Sequence, residues 1–105
     1  MDSLTPFRLG DWRVDPVANT FELRDETTSV EPKAMQVLEA LAEQPGELVS
    51  KSELLERVWP GRFVTDDVLT GAIGQLRRAL GDDARSPAYI QTVPRRGYRL
   101  IAEVA

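Results

Sequence analysis

Between Asp66 and Leu80 the chain places Leu69, Ile73, Leu76 and Leu80 at steps of four, three and four residues. That spacing puts all four on one side of a 3.6-residue helix and leaves the opposite side to water or a ligand. At 100° per residue the outward side holds Asp67, Gly71, Gly74, Gln75 and Arg78, with Val68 and Ala72 on one flank and Thr70 and Arg77 on the other. Thr65 is the expected N-cap, and Gly81-Asp82-Asp83 ends the helix. Asp66 and Asp67 could suggest a metal ion, but acids in a first turn are favoured by the helix dipole, so no metal is expected. Asp82-Asp83 reads in the same way as a loop pair.

The rest of the chain is punctuated around this helix. Apolar alternation at Phe7 and Leu9, Trp12 and Val14, Phe21 and Leu23, and Thr28 and Val30 predicts four short strands. Gly10-Asp11, Asp15-Pro16 and Asp25-Glu26 separate them, giving a small antiparallel sheet over residues 7–30. A first helix is expected over Pro32–Gln44, with Pro in its first turn, a stripe of Met35, Leu38, Leu41 and Ala42, and Pro45-Gly46 as its stop. Ser50 and Glu53 form a capping box for a second helix over residues 51–59, burying Leu54, Leu55 and Val58. After the third helix, Ile90–Val93 and Tyr98–Ile101 read as two strands joined by Pro94-Arg95-Arg96-Gly97, with Gly97 expected at a positive φ. The fold class is α+β: four strands, three helices, then a hairpin over residues 90–101, in one domain of 105 residues.

Composition removes most chemistry. With no cysteine and no histidine, disulfides, zinc sites, thiol nucleophiles and imidazole triads are all excluded, and no Gly-rich phosphate loop occurs. No catalytic site, cofactor or small-molecule substrate is expected. No apolar run is long enough to span a bilayer, and residues 1–5 lack a signal-peptide pattern, so a cytoplasmic domain is expected. The net charge of −4 conceals a segregation: residues 1–56 hold five Lys/Arg against twelve Asp/Glu, whereas residues 57–105 hold eight against five. Residues 84–102 carry Arg85, Arg95, Arg96 and Arg99 and no acid, a local footprint for a polyanion.

A generic amphipathic helix is an ordinary core helix with a wet face, and arginines at a turn are often just solvated. Here a capped second helix, a connection from Trp59 to Thr65, and a third helix ending in Arg77-Arg78 follow the layout that places a helix in a major groove. Two adjacent arginines at a rigid tip suit a narrow minor groove, where negative potential is concentrated.

The segments Phe7-Arg-Leu-Gly-Asp-Trp12, Glu31-Pro-Lys-Ala34, Val58-Trp-Pro-Gly61, Leu76-Arg-Arg-Ala-Leu-Gly-Asp-Asp83 and Ile90-Gln-Thr-Val-Pro-Arg-Arg-Gly-Tyr-Arg99 carry a resemblance over nearly the whole chain. It resembles the OmpR/PhoB family of winged helix-turn-helix DNA-binding domains. A start at Met1 just before strand one looks like the CadC/ToxR one-component branch, in which a membrane span and sensing region follow the domain. The resemblance implies that Val68, Ala72 and Gln75 face bases, that Trp59, Arg77, Arg78, Thr92 and Tyr98 touch the DNA backbone, and that Arg95 and Arg96 form the wing tip. It further implies that the loop Pro60, Gly61, Arg62, Phe63, Val64 and Thr65 contacts RNA polymerase, and that domains pair on direct repeats.

The outward helix face departs from the family in its small residues, Gly71, Ala72 and Gly74, which leave Gln75 as the one strong base reader, suited to a bidentate pair with adenine. Modest readout by the helix, with more affinity from the wing, is expected. A protein-interaction module with weak or lost DNA binding is the rival, motivated by the acidic first half and the bare helix face.

Overall fold

The computed structural model describes residues 5–105, so Met1 to Leu4 lie outside the described residues. Strands β1 (Phe7–Leu9), β2 (Trp12–Asp15), β3 (Thr20–Leu23) and β4 (Glu26–Ser29) form one antiparallel sheet in sequence order. Period-two alternation decides which side is buried: Phe7, Leu9, Trp12, Val14 and Phe21 enter the core while Arg8, Arg13 and Glu22 stay exposed. Trp12 meets Phe21 edge to face, with centroids 6.4 Å apart at 88°. The last hairpin turns at Arg24-Asp25, one residue earlier than the sequence suggests, with Arg24 at φ 54°.

Helix α1 (Pro32–Ala42) starts where Pro32 predicts and ends two residues before Gln44. There the Gln44 N–H donates to Leu41, an i to i−3 bond that closes the helix. Helix α2 (Lys51–Val58) opens on the expected cap, the Glu53 N–H donating to Ser50 Oγ at 3.1 Å. Leu54 and Val58 are buried, while Leu55 is half-buried beside the following loop. Helix α3 (Asp66–Leu80) has the predicted bounds and buries Leu69, Ile73, Leu76 and Leu80. Thr65 sits at its N-cap without a side-chain bond. Gly81 closes it at φ 68°, the Asp82 N–H reaching back to the Arg77 carbonyl at 2.8 Å.

A short strand between α1 and α2, β5 (Leu48–Ser50), was not anticipated. It pairs with β7 (Gly97–Leu100), which also pairs with β6 (Ile90–Val93), giving a second antiparallel sheet in the order β5-β7-β6. The hairpin is thereby sewn into the helical core. The Lys51 N–H donates to the Arg96 carbonyl at 3.0 Å, tying the start of α2 to the hairpin's tip. Both sheets and all three helices contribute to one buried apolar cluster. Among the described residues, no helix is long and apolar enough to cross a membrane.

The segment from α3 to β6 is organised by one carboxylate. Asp82 Oδ1 accepts from the N–H groups of Ala88 at 2.7 Å and Tyr89 at 3.3 Å, and Oδ2 accepts from Ile90 at 2.9 Å. Asp82 is therefore a structural anchor with specific partners, beyond the loop residue its sequence position suggests. Asp82→Ala leaves three backbone donors without an acceptor, two of them part-buried, and is expected to cost about 2–3 kcal/mol. Asp82→Asn keeps one acceptor oxygen and should lose roughly half as much. Urea unfolding reads both; equal midpoints for Asp82→Ala and wild type would contradict the anchoring role.

Candidate nucleic-acid interface

The outward face of α3 is small. Asp66, Asp67, Thr70, Gly71 and Arg78 are exposed, and Val68, Gly74, Gln75 and Arg77 are half-buried. Ala72 is mostly covered, at 4% exposure, where α3 packs on α1, and what remains of its surface borders a groove. Val68, Ala72 and Gln75 line this groove of about 240 Å³, whose other wall is formed by Glu31, Lys33 and Trp59.

Gln75 is tied down. Its Oε1 accepts from the Glu31 N–H at 3.0 Å, joining α3 to the N-terminus of α1 across 44 residues of sequence. On the same side of the molecule Lys33 donates from Nζ to the Val58 carbonyl at 2.7 Å, satisfying one of the orphan acceptors at the end of α2.

Arg77 and Thr92, both expected on the DNA backbone, are bonded to each other. Arg77 Nη2 donates to Thr92 Oγ1 at 2.9 Å and to the Ile90 carbonyl at 2.9 Å. Arg77 is thus first a brace between α3 and β6, and it fixes the angle between helix and hairpin. Arg99, the half-buried arginine of the hairpin, donates from Nη1 to Gln91 Oε1 at 3.1 Å. Arg78, one position on, is exposed and forms no salt bridge among the described residues.

Trp59 and Tyr98 are buried at 7% and 5% exposure. Among the described residues, neither the indole N–H nor the phenol O–H has a protein partner, and neither is a buried orphan. The rings are core and the polar tips reach water, which suits a residue packed under an interface.

The hairpin tip departs from expectation in one respect. The Arg96 N–H donates to the Val93 carbonyl at 3.0 Å, closing a turn with Pro94 second and Arg95 third. Arg95 takes the left-handed position at φ 66°, the third place of a type II turn where glycine is usual. Gly97 is needed for a different reason: a Cβ there would stand 2.0 Å from the Val49 carbonyl oxygen of β5. Arg95 and Arg96 are both exposed and free of acidic partners among the described residues. Three other cations are paired with acids, Arg57 with Glu43 and Glu53, Arg13 with Glu22, and Lys51 with Asp66.

The loop between α2 and α3 projects Phe63, which is fully exposed, beside a shallow apolar cavity formed by Leu55, Trp59 and Val64. A bare phenyl ring on a short loop is the most conspicuous apolar feature of the surface.

Comparison with known proteins agrees with this arrangement. Residues 25–100 match the family described as "Transcriptional regulatory protein, C terminal". The chain is 40% identical over 98 residues to the transcriptional activator CadC of Escherichia coli, covering 92% of this chain and 19% of CadC. It is 41% identical over 95 residues to the cholera toxin transcriptional activator of Vibrio cholerae, covering 86% of this chain and 32% of that protein. The chain thus spans about a fifth to a third of these relatives. Among solved structures, the DNA-binding domain of E. coli CadC superposes with a TM-score of 0.84 at 38% identity, covering 97% of both chains. The Klebsiella pneumoniae RstA DNA-binding domain, in complex with the RstA box, superposes at 0.76 with 27% identity, covering 92% of this chain and 97% of that one. Sequence, topology and the helix-hairpin surface lead to the same conclusion: the chain belongs to the OmpR/PhoB-type winged-helix family of transcriptional regulator DNA-binding domains.

Proposed function

We propose that this chain binds double-stranded DNA with α3 in a major groove and the β6-β7 tip in the adjacent minor groove, serving a regulator whose other parts sense and signal. The observation that carries this reading is the Arg77 bridge to Ile90 and Thr92, which holds the exposed helix face and the unpaired Arg95-Arg96 tip as one rigid surface. Preorganisation of this kind lowers the ordering cost of binding. Val68 and Gln75 face the bases, and Arg78, the Trp59 and Tyr98 tips and Nη1 of Arg77 take phosphate or sugar. Arg95 and Arg96 enter the minor groove, where narrow A·T segments attract guanidinium groups.

The loop from Pro60 to Thr65 is a contact for RNA polymerase, with exposed Phe63 as its apolar anchor. Domains pair on direct repeats, and the parent protein acts from the cytoplasmic side of the membrane, as the likeness to CadC suggests. The acidic first sheet stays away from the phosphates, which is how a chain of net charge −4 can bind a polyanion.

Salt dependence tests the core of this reading. With around four phosphates neutralised, a plot of log K against log salt should slope by about −3 to −4. Mobility shifts or fluorescence anisotropy on promoter fragments measure it. A slope near zero, or no retardation at low salt, would sink the DNA-binding reading in favour of a protein-interaction module.

A further inference from the structure

We infer that Gln75 reads DNA as a hydrogen-bond donor and selects guanine at the position it faces. The inference rests on the placement of α3 in the major groove proposed above and deepens it. A backbone N–H can only donate, so the atom of the Gln75 amide that meets the Glu31 N–H at 3.0 Å must be its oxygen. This fixes the orientation of the amide and leaves Nε2 as its free end. Among the described residues no protein acceptor takes the Nε2 hydrogens, and Nε2 is not a buried orphan. Gln75 lines the groove with Asp67, Val68 and Gly71. A Cβ at Gly71 would meet nothing within 4 Å, so no neighbouring side chain blocks the approach of a base edge there.

The usual pairing of glutamine is with adenine, whose N6 donates to the amide oxygen while N7 accepts from the amide nitrogen. Here that pairing would require Oε1, which already accepts from the Glu31 N–H, to accept a second hydrogen on its other lone pair. With Oε1 turned toward Glu31, the unbonded end of the amide is its nitrogen with two N–H donors, and that end suits a base edge made of acceptors only. Guanine presents O6 and N7 side by side in the major groove, whereas cytosine presents the N4 amino group, a donor facing donors. Guanine is therefore preferred and cytosine rejected on the contacted strand. The link to Glu31 also fixes the side chain before DNA arrives, so little rotamer entropy is lost on contact.

Two measurements test this. Binding sites are selected from random duplexes at low salt with the 105-residue chain, with Gln75→Glu and with Gln75→Ala. The wild-type motif should contain a guanine column with about tenfold discrimination over cytosine. Gln75→Glu still offers Glu31 an oxygen but turns an acceptor outward, so the column should change toward cytosine, whose N4 donates; Gln75→Ala should flatten it. In the free protein, the Glu31 backbone amide proton should move upfield in Gln75→Ala and hold its position in Gln75→Glu. An adenine column in the wild type, lost in Gln75→Ala, would mean that Oε1 accepts twice and would overturn the donor assignment. Identical motifs for all three proteins, or an unmoved Glu31 amide in Gln75→Ala, would overturn it also. Failure of the wild type to select any sequence would instead bring down the DNA-binding reading, and this inference with it, while the Glu31 resonance separately reports whether the hydrogen bond exists.

Discussion

Gly97→Ala should lower the melting temperature by more than about 10 °C. The added Cβ would stand 2.0 Å from the Val49 carbonyl oxygen and 2.9 Å from Ser50 Cα, both backbone atoms that no rotamer change can move aside. Relief requires β5 to part from β7, which breaks the pairing of Val49 with Tyr98 and of Ser50 with Gly97 and pulls on the Lys51 to Arg96 bond. Overpacking against rigid neighbours costs about 3 kcal/mol, and in a domain near this size each kilocalorie shifts the midpoint by about 4 °C or more. Gly71→Ala is the control: exposed, inside α3, with open space around its Cβ, it should raise stability by about 0.5–1 kcal/mol. Calorimetry on both variants decides the matter. A Gly97→Ala protein melting within about 2 °C of wild type would mean that β5 does not approach β7 so closely.

The contrast between those two glycines shows what the sequence could and could not convey. Local rules reached α3 to the residue, because the 69-73-76-80 stripe and Gly81 depend only on helical periodicity and on one left-handed residue. They reached the Ser50 cap for the same reason. Strand β5 escaped because three residues between Pro45-Gly46 and the capping box are too few for alternation to register, and its partner lies some fifty residues away in β7. Without β5 the sequence offers no steric reason for Gly97, and positive φ reads onto the glycine although Arg95 takes it.

Within the site, residue types were legible and their occupancy was not. Arg77 and Thr92 are polar residues beside a candidate groove, but only the fold reveals that each is the other's partner. Ala72 lies at the edge of the helical wheel, where a rotation of a few degrees and the approach of α1 decide between core and surface. Asp82 carried one usable signal, an acid directly after a helix-ending glycine, next to backbone with no regular partners.

Cations that pair within the protein contribute little to a polyanion's binding, so the unpaired ones should dominate the salt response. Arg95 and Arg96 are the exposed, unpaired pair at the tip, and replacing both with alanine should weaken DNA binding at least tenfold and reduce the salt slope by about two. Stability separates this loss from damage to the fold. Arg95 holds φ 66°, a conformation costing a non-glycine residue about 1 kcal/mol. Arg95→Ala keeps that strain and should leave the unfolding midpoint near wild type. Arg95→Gly removes the strain along with the guanidinium, so it should be up to about 1 kcal/mol more stable than Arg95→Ala while binding DNA no better. Anisotropy titrations across a salt series and urea unfolding of the three proteins measure both quantities. Binding by the double variant equal to wild type at moderate salt would refute the minor-groove role of the tip. Recovery of binding in Arg95→Gly would show that turn geometry, rather than charge, is what the tip contributes.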